Sequence, residues 1–549
     1  MSKIKIFALG GLNENGKNMY VVNVDEDIFV FDAGLKFDND INLGIDYIIP
    51  SYDYLLKNKK NIKGLFLTHG HDGNVGGVPD LLEQYPDIPI YGSKLTIEIV
   101  KKDVRKELLD KANFHIIKAH NKIVFGNNSI FPISVTHSIP ESLCYVLYTP
   151  DGAIVYTGDF TFDSTMRGLY GTDIGKLAYV GKQGVLCLLA ESFYADKEGH
   201  TSPKNRISGF IKEVLQKNEN RIITTIFPSH FYRLQELFDE ISKTHRKIVI
   251  MGKALQDDIN YAINEGYLKI DRSFIGSLSD LENKDTVVFI SDEREKPFNN
   301  LDRIIKGYDK FIKINENDTI FITETSYPGI EKRTALIMDE IAMLGANAVN
   351  LSSKKHLDHH ASREDLMLMI DLIHPKYYFP VKGEYRQQYV NAEIAEEIGI
   401  PPEDIILKLN GDVFEMVDGV NTNSTEHIDV EEVLIDGKSQ NDIGDLVLKD
   451  REMLAENGIV ILSCTIDKNT KEILGGPEIL TRGFIYVKES QDLLEETKKL
   501  AKEVIQENIQ LNSRVDYNSI KNSVRTELGN FFYKVTESKP MIITVIQEV

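Results

Sequence analysis

A short strand-like run near the start of the chain ends in two histidines, and this pattern constrains the fold more than any other. The apolar run Ile62 to Leu67 is followed by Thr68-His69-Gly70-His71-Asp72-Gly73-Asn74-Val75-Gly76-Gly77. The glycines allow the tight loop that must precede the next apolar segment. Neutral histidine is a preferred ligand of Zn²⁺, so two imidazoles at the end of a strand indicate one side of a metal site.

Two later segments offer further ligands. Thr136-His137-Ser138 supplies a third imidazole, and Tyr156-Thr157-Gly158-Asp159 ends a strand-like run in a carboxylate. In this order the segments resemble metallo-β-lactamase-type hydrolases, whose first loop reads His-x-His-x-Asp-His and binds two metals. The resemblance implies a site of three nitrogens and one oxygen for Zn²⁺ or Mn²⁺, formed by His69, His71, His137 and Asp159.

The second metal of that family lacks its ligands in this chain. Gly73 and Asn74 replace an aspartate and a histidine, and Lys382 replaces a histidine in Pro380-Val381-Lys382-Gly383-Glu384-Tyr385-Arg386. The resemblance therefore implies at most one tightly bound metal per chain. Two interpretations of Lys382 stay open. Its ammonium group could substitute for the charge of the second cation, or the position could have drifted after that metal was lost.

Motifs further along narrow the resemblance to bacterial ribonuclease J, a family of β-CASP nucleases. Ala190-Glu191-Ser192-Phe193-Tyr194-Ala195 resembles the acidic motif A, and His356-Leu357-Asp358-His359-His360-Ala361-Ser362 resembles His-x-Ser-Gly-His-Ala, whose last histidine is motif B. Further similarities cover Tyr327–Gly329, Leu409–Val413 and Thr481–Val487. The three lost ligands make the chain most similar to the second, weakly active paralogue that accompanies an active ribonuclease J in some bacteria.

The resemblance also implies catalytic and substrate-binding residues. His360 would be the general acid, and Glu191 the carboxylate that orients it. A pocket for one 5′-phosphate is implied near Ser229 and His356. The full set of implied substrate contacts is Ser229, His230, His356, Leu357, Asp358, His359 and His360. Asp358 and His359 replace a serine and a glycine, and a carboxylate beside a phosphate is repulsive; a purely structural role for His230 stays open.

The implied fold class is α/β. We expect a metallo-β-lactamase αββα sandwich with an inserted β-CASP α/β domain and a small C-terminal α/β domain. The alternation of strand-like and helix-like runs from about Ile207 is typical of a parallel sheet. The expected boundaries are 1–206 and 363–418 for the sandwich, 207–362 for the insert, 419–449 for a polar linker and 450–549 for the last domain. An apolar helical stripe at Leu493, Leu500 and Val504 predicts either a partner contact or core packing.

Composition fits a cytoplasmic, globular enzyme. The 549 residues are 42% hydrophobic and 27% charged, and the chain contains no apolar run of the length that crosses a bilayer. The cysteines Cys144, Cys187 and Cys464 are widely spaced, which favours a reducing compartment. With 84 acidic and 63 basic residues the net charge is −21, so any RNA contact must be a local groove.

Three functions remain open at this point. The first is a 5′-to-3′ exoribonuclease with some endonuclease activity in rRNA maturation and mRNA turnover, weak because its second metal site is degenerate. The second is a non-catalytic subunit that binds RNA and an active ribonuclease J paralogue as a hetero-oligomer, and forms a homodimer when alone. The third, a one-metal hydrolase of another phosphodiester, is the least favoured because the motifs resemble those of nucleic-acid nucleases.

Overall fold

The computed structural model describes residues 2–37, 44–292, 294, 298–324, 330–437, 445–485, 491–511 and 516–549. The described chain forms two compact units, one that ends at residue 433 and one that holds residues 44–46 and 434 onward. The motif residues Tyr327–Gly329 and Tyr486–Val487 lie outside the described residues.

Strands and helices follow one another along the chain. The strands are β1 (Lys3–Gly10), β2 (Met19–Val24), β3 (Asp27–Phe31), β4 (Tyr47–Pro50), β5 (Ile62–Phe66), β6 (Pro89–Gly92), β7 (Asn113–Ile116), β8 (Ile123–Phe125), β9 (Asn128–Ser134), β10 (Leu143–Thr149), β11 (Gly152–Tyr156), β12 (Val185–Glu191), β13 (Ile222–Thr225), β14 (Lys247–Ile250), β15 (Thr286–Ile290), β16 (Thr319–Ile322), β17 (Asn347–Asn350), β18 (Pro375–Val381), β19 (Phe414–Val417), β20 (Val420–Asn421), β21 (Glu432–Ile435), β22 (Ile459–Ile466), β23 (Ile473–Arg482) and β24 (Met541–Glu548). The α-helices are α1 (Asp53–Lys57), α2 (Asp72–Val75), α3 (Val78–Gln84), α4 (Lys94–Asp103), α5 (Lys106–Leu109), α6 (Ile174–Gln183), α7 (Ser208–Lys217), α8 (Phe231–Ile241), α9 (Lys253–Asn264), α10 (Asn299–Ile305), α11 (Glu331–Met343), α12 (Arg363–Ile373), α13 (Tyr385–Glu397), α14 (Asp445–Asn457), α15 (Gln491–Leu511) and α16 (Tyr517–Thr536).

Two sheets packed face to face form the sandwich of the first unit. Their strand orders are β20-β19-β1-β2-β3-β5-β6-β7 and β18-β12-β11-β10-β9-β8. The inner faces share one core that includes Phe29, Tyr145 and Phe379. Strands such as β12 are apolar on both faces, because α6 and α12 cover the outer side of their sheet with Leu177 and Ile370. Since α4 covers the other sheet at β6 and β7, the layers are helix, sheet, sheet, helix, which confirms the predicted fold class.

A five-stranded parallel sheet lies between the two parts of the sandwich sequence. Its order is β14-β15-β13-β16-β17, and α7, α8 and α9 cover one face while α10 and α11 cover the other. The carboxyl ends of parallel strands meet at one edge of a sheet. The loops after β13, β16 and β17 therefore lie side by side, and they carry His230, Glu324 and the segment 356–360.

The second unit has its own core. Its sheet has the order β23-β22-β24, and α15 and α16 cover one face through a cluster that includes Val460 and Leu528. Leu500 and Val504 pack against this cluster, so core packing accounts for them, and the partner contact stays a prediction. The expected linker 419–449 contains β20, which extends the first sheet by pairing with β19. None of the helices described in either unit has the length and apolarity to span a membrane.

Candidate active site

The four predicted metal ligands come from loops at one edge of the sandwich. His69 and His71 follow β5, His137 follows β9 and Asp159 follows β11. All four side chains are buried, and one donor atom from each lies within 4.8 Å of the others. The fold thus brings together residues that are up to 90 positions apart in the sequence.

Hydrogen bonds fix which nitrogen of His69 points toward Asp159. The Thr68 hydroxyl donates to Asp32 Oδ2 at 2.9 Å, so its oxygen accepts from His69 Nδ1 at 3.0 Å. In the neutral ring Nε2 then carries a lone pair, which lies 3.3 Å from Asp159 Oδ2. Across the described residues this buried nitrogen has no hydrogen-bond partner. Two acceptors facing each other in the interior are the arrangement that a cation satisfies. The Lys382 ammonium group lies on the same Asp159 oxygen, whereas the His69 nitrogen has only the carboxylate opposite it.

His137 is held in the same way. Its Nδ1 can only donate to the carbonyl oxygen of His359, at 2.7 Å, so its Nε2 is the nitrogen with a lone pair for a ligand. This Nε2 lies 3.0 Å from His71 Nδ1 and 3.9 Å from Asp159 Oδ2. Burial first, and then the neighbouring histidines, lower the pKa of His71 and of His137 well below the ordinary value. Neutral imidazoles beside a carboxylate fit a zinc-type ion.

The residues that replace the ligands of the second metal have other roles. Asn74 donates from Nδ2 to Asp32 Oδ2 at 2.8 Å and accepts at Oδ1 from Asn18 at 3.4 Å. This amide is therefore part of the hydrogen-bond network that supports Thr68, where the family has an imidazole for the second metal. Gly73 contributes its carbonyl oxygen, which accepts from the Asn18 amide at 3.0 Å.

Lys382 forms an ion pair with Asp159 through Nζ and Oδ2. It lies in the loop after β18 in the left-handed region, with φ of 56°, and the next amide, that of Gly383, donates to the Glu14 carbonyl at 3.0 Å. Burial alone would raise the pKa of the Asp159 carboxyl, but Lys382 and the neighbouring histidines outweigh burial and hold that pKa well below its ordinary value. The ammonium group is thus on the carboxylate that the family shares between two metals.

The predicted acid pair is also assembled. His360 Nδ1 lies 2.7 Å from Glu191 Oε2, while Glu191 Oε1 accepts from the amides of Phe160 at 2.7 Å and Ala361 at 3.2 Å. Since the carboxylate only accepts, His360 Nδ1 carries the proton and Nε2 is the nitrogen that can exchange a proton with a ligand. The ring of Phe193 packs 4.5 Å from that of His360.

These groups line one cavity of about 580 Å³. The sandwich contributes His71, His137, Asp159 and Lys382, and the later loops contribute Phe227, His230, Glu324, Asp358, His359 and His360. Three predicted substrate residues, Ser229, His356 and Leu357, are not among the described residues that line it. Leu357 is buried, and the ring of His356 packs 5.0 Å from that of Phe210. Four of the seven predicted substrate residues, His230, Asp358, His359 and His360, therefore line the cavity, and the 5′-phosphate pocket near Ser229 and His356 stays a prediction.

Four known domain families match consecutive parts of the chain. They are the metallo-beta-lactamase superfamily over residues 12–181, the ribonuclease J beta-CASP domain over 219–341, the Zn-dependent metallo-hydrolase RNA specificity domain over 349–403 and the ribonuclease J C-terminal domain over 446–549. Ribonuclease J 2 of Staphylococcus aureus strain MRSA252 is 37% identical over 550 residues, covering 100% of this chain and 98% of that protein. The chain belongs to the ribonuclease J family. This result confirms the family that the motifs predict.

Further comparisons agree with this assignment. Ribonuclease J 2 of Staphylococcus epidermidis is 36% identical, again over 100% of this ribonuclease J chain and 98% of that protein. A crystal structure of a protein of unknown function from Enterococcus faecalis V583 aligns with a TM-score of 0.53 at 16% identity, over 76% of this chain and 100% of that one. That likeness supports the fold alone.

The sequence motifs of this ribonuclease J do not reveal part of the cavity wall. Arg233 donates to Glu324 Oε2 at 3.0 Å and to Asp358 Oδ1 at 2.9 Å, and His230 Nδ1 lies 2.9 Å from Glu324 Oε2. Burial alone would lower the pKa of His230, but Glu324 and Asp358 outweigh it and the pKa is raised. Glu324 follows β16, the neighbour of β13. Its position directly after a parallel strand is the sequence signal that could have identified it as a cavity residue.

Proposed function

We propose that this chain is a weak, metal-dependent ribonuclease that degrades RNA from the 5′ end, with some endonuclease activity, in rRNA maturation and mRNA decay in the cytoplasm. One observation carries the proposal: Asp159, which the buried His69 lone pair faces, lines the same cavity as His360, whose Nδ1 lies 2.7 Å from Glu191. This arrangement supports hydrolysis of a phosphodiester by one metal ion and one proton donor.

His69, His71, His137 and Asp159 would hold a Zn²⁺ or Mn²⁺ ion. When bound, such an ion supplies Lewis acidity that polarises a phosphodiester. Lys382 offers ammonium protons to a phosphate oxygen. As a water oxygen bonds to phosphorus and the ester oxygen leaves, the doubly protonated His360 gives the proton at Nε2 to the leaving oxygen, while Glu191 keeps the proton at Nδ1 in place. Lys382 supplies charge without Lewis acidity, which is our reason for expecting weak activity.

Metal analysis joined to an RNase assay tests this function. We expect at most one tightly bound metal per purified chain, and slow loss of 5′-labelled RNA that stops when a chelator removes the metal. Protein carrying His69→Ala, purified in parallel, measures the contaminating nuclease. Two tightly bound metals per chain would overturn the one-metal site. RNA loss equal to that of the His69→Ala control would overturn the ribonuclease.

The depleted second site favours one alternative, a subunit that binds RNA and an active ribonuclease J paralogue, and that pairs with itself when alone. The second unit has a core of its own, so it is the part that can be removed. Under this alternative, deleting residues 434–549 abolishes co-purification with the paralogue, and His69→Ala leaves it intact. Loss of co-purification in both variants, or in neither, contradicts it.

A further inference from the structure

A second concave surface, of about 390 Å³, lies where α6 meets β9 and β10. It is lined by Lys122, Phe131, Tyr148, Lys176, Tyr179 and Gln183, and we call it the lysine–tyrosine groove. None of these six residues lines the active-site cavity. Phe131 and Tyr148 pack with one side on the core beneath α6, whereas Tyr179 is 57% exposed. The groove therefore presents aromatic rings to solvent outside the candidate active site.

The groove is positive in a chain that carries a net charge of −21. Its described lining contains two lysines and no carboxylate. The sequence of α6 has no acidic residue, and Asp173, just before it, already accepts from the Lys176 amide at 2.9 Å and lies 3.0 Å from His120 Nε2. Within the described part of the chain the ammonium groups of Lys122 and Lys176 form no ion pair, whereas that of Lys382 does. Both cations are therefore available to an anionic ligand.

Each of the two lysines lies beside a tyrosine ring. Lys122 Nζ is 5.8 Å from the ring centre of Tyr148, and Lys176 Nζ is 5.9 Å from that of Tyr179. Burial first, and then the neighbouring Tyr179, raise the pKa of Tyr148, so its hydroxyl group keeps a proton that it can donate to an anion. An ammonium group beside an aromatic face suits a nucleotide, because the phosphate meets the cation and the base stacks on the ring.

One strand connects the groove to the metal-ligand cluster. Phe131 lies on β9, and His137 follows the same strand six positions later. Six residues span at most about 22 Å. An RNA strand with its scissile phosphate at the cluster is therefore within reach of the groove once it extends several nucleotides beyond the cavity.

We infer that the lysine–tyrosine groove is a second binding site for single-stranded RNA, outside the active-site cavity. Lys122 and Lys176 contact backbone phosphates, and a base stacks on Tyr179, the most exposed of the three rings. Contacts of this kind tolerate any base sequence, because every base has an aromatic face. The inference rests on the proposed function, which supplies RNA as the ligand, and it adds where the part of the strand away from the cut is held.

Binding of a fluorescent, single-stranded oligouridylate of about 20 nucleotides to the full-length protein tests the inference. A chelator in every sample prevents cutting. Tyr179→Ala should weaken binding about fivefold or more, the usual loss for one stacked base. Lys122→Gln with Lys176→Gln should reduce the steepness of the plot of log binding constant against log salt concentration by about 1.4, since each phosphate contact on a single strand contributes about 0.7.

Two matched variants separate the groove from the general effect of charge. Lys122→Arg with Lys176→Arg keeps both cations and should retain the wild-type salt dependence. Lys111→Gln with Lys284→Gln removes the same charge at exposed positions outside the groove and should also retain it. If this control pair weakens RNA binding as much as the glutamine pair in the groove does, net charge attracts the RNA and the inference is overturned.

The remaining outcomes distinguish the groove from the proposed function. Wild-type affinity and salt dependence in both Tyr179→Ala and the glutamine pair would overturn the groove but leave the ribonuclease intact. Absence of RNA binding by the wild type would overturn the proposed function and the groove together. Hexaglutamate, an acidic peptide without bases, is the competing ligand. If the glutamine pair weakens binding of hexaglutamate but not of RNA, the groove receives an acidic protein segment and the RNA site is overturned.

Discussion

Residues 68–77 carry part of the histidine half and part of the depleted half of the candidate metal site, and the side chains of the two parts have opposite roles. His69 presents a buried nitrogen that has no hydrogen-bond partner among the described residues. Asn74, five positions later, uses both ends of its amide in hydrogen bonds with Asp32 and Asn18. His69 therefore keeps a nitrogen lone pair for a ligand, whereas the hydrogen-bonding groups of Asn74 are already used within the protein.

The backbone is not what separates the two halves. A Cβ atom added at Gly73 would meet Gly16 Cα at 3.4 Å and Asn18 Nδ2 at 3.8 Å, which is ordinary contact. At Gly34, in contrast, a Cβ atom would lie 1.7 Å from the Gly73 carbonyl oxygen. Packing thus requires glycine at 34 but leaves space for a Cβ atom at 73, so the backbone does not exclude a side chain at the position of the missing carboxylate.

The largest expected effect comes from breaking the histidine half. His69→Ala should lose bound metal and all metal-dependent RNA cleavage, because losing even an outer partner of a ligand costs about 10- to 100-fold in metal affinity. Metal content after dialysis and the RNase rate measure this. Asn74→Ala is the matched change in the other half and should keep its metal. Equal metal loss in both variants would show that the halves are not distinct.

The next effect concerns the proton donor. His360→Gln should reduce RNA cleavage by about 10²- to 10⁴-fold, the usual cost of losing a general acid, while metal content stays at the wild-type level. Steady-state rates and elemental analysis on the same preparation check both parts. An unchanged rate would mean that another group donates the proton to the leaving oxygen. Loss of metal from His360→Gln would mean that His360 takes part in metal binding.

The sequence predicts which residues of the histidine half come together, but it does not predict the opposite wall of the cavity, and the reason is physical. His69, His71 and His360 stand in short motifs whose spacing reflects local geometry, and the structure assembles them as expected. The pairing of Arg233 with Glu324 joins residues 91 positions apart, and only the order of the parallel strands brings them together. The stripe at Leu500 and Val504 was ambiguous because an amphipathic helix looks the same whether it packs against its own domain or a partner.

Replacing Lys382, the cation of the depleted half, should lower the free energy of unfolding when no metal is present. Lys382→Gln leaves Asp159 buried without its ion pair, and breaking such a pair by losing one partner costs about 3 to 5 kcal/mol. Urea unfolding with a chelator, followed by a probe in the first unit, measures this. The pKa of Asp159 is depressed below the ordinary 3.8, so the ion pair stabilises the fold above that pH and the stabilisation is lost as pH falls through the folded value.

The free energies of unfolding of the wild type and of Lys382→Gln should therefore differ most at neutral pH and become equal as the pH falls. Added Zn²⁺ should also narrow the gap, because a bound cation compensates the same carboxylate. A gap that is independent of both pH and zinc would mean that the variant acts through the left-handed backbone at position 382 and not through its charge.

The smallest effect is a gain from rebuilding the depleted half. Gly73→Asp, Asn74→His and Lys382→His together restore the family's ligands, and a Cβ atom at position 73 meets Gly16 only at a contact distance of 3.4 Å. We expect a second metal per chain and a rate about tenfold higher, equivalent to about 1.4 kcal/mol of barrier.

The double change that keeps Lys382 is the control, and it should bind no second metal because the ammonium group still occupies Asp159. Should the triple variant bind two metals without a faster rate, the limit lies in the wall at Asp358 and His359. That outcome favours the non-catalytic subunit, because a complete metal site would then lack a cavity that accepts the substrate.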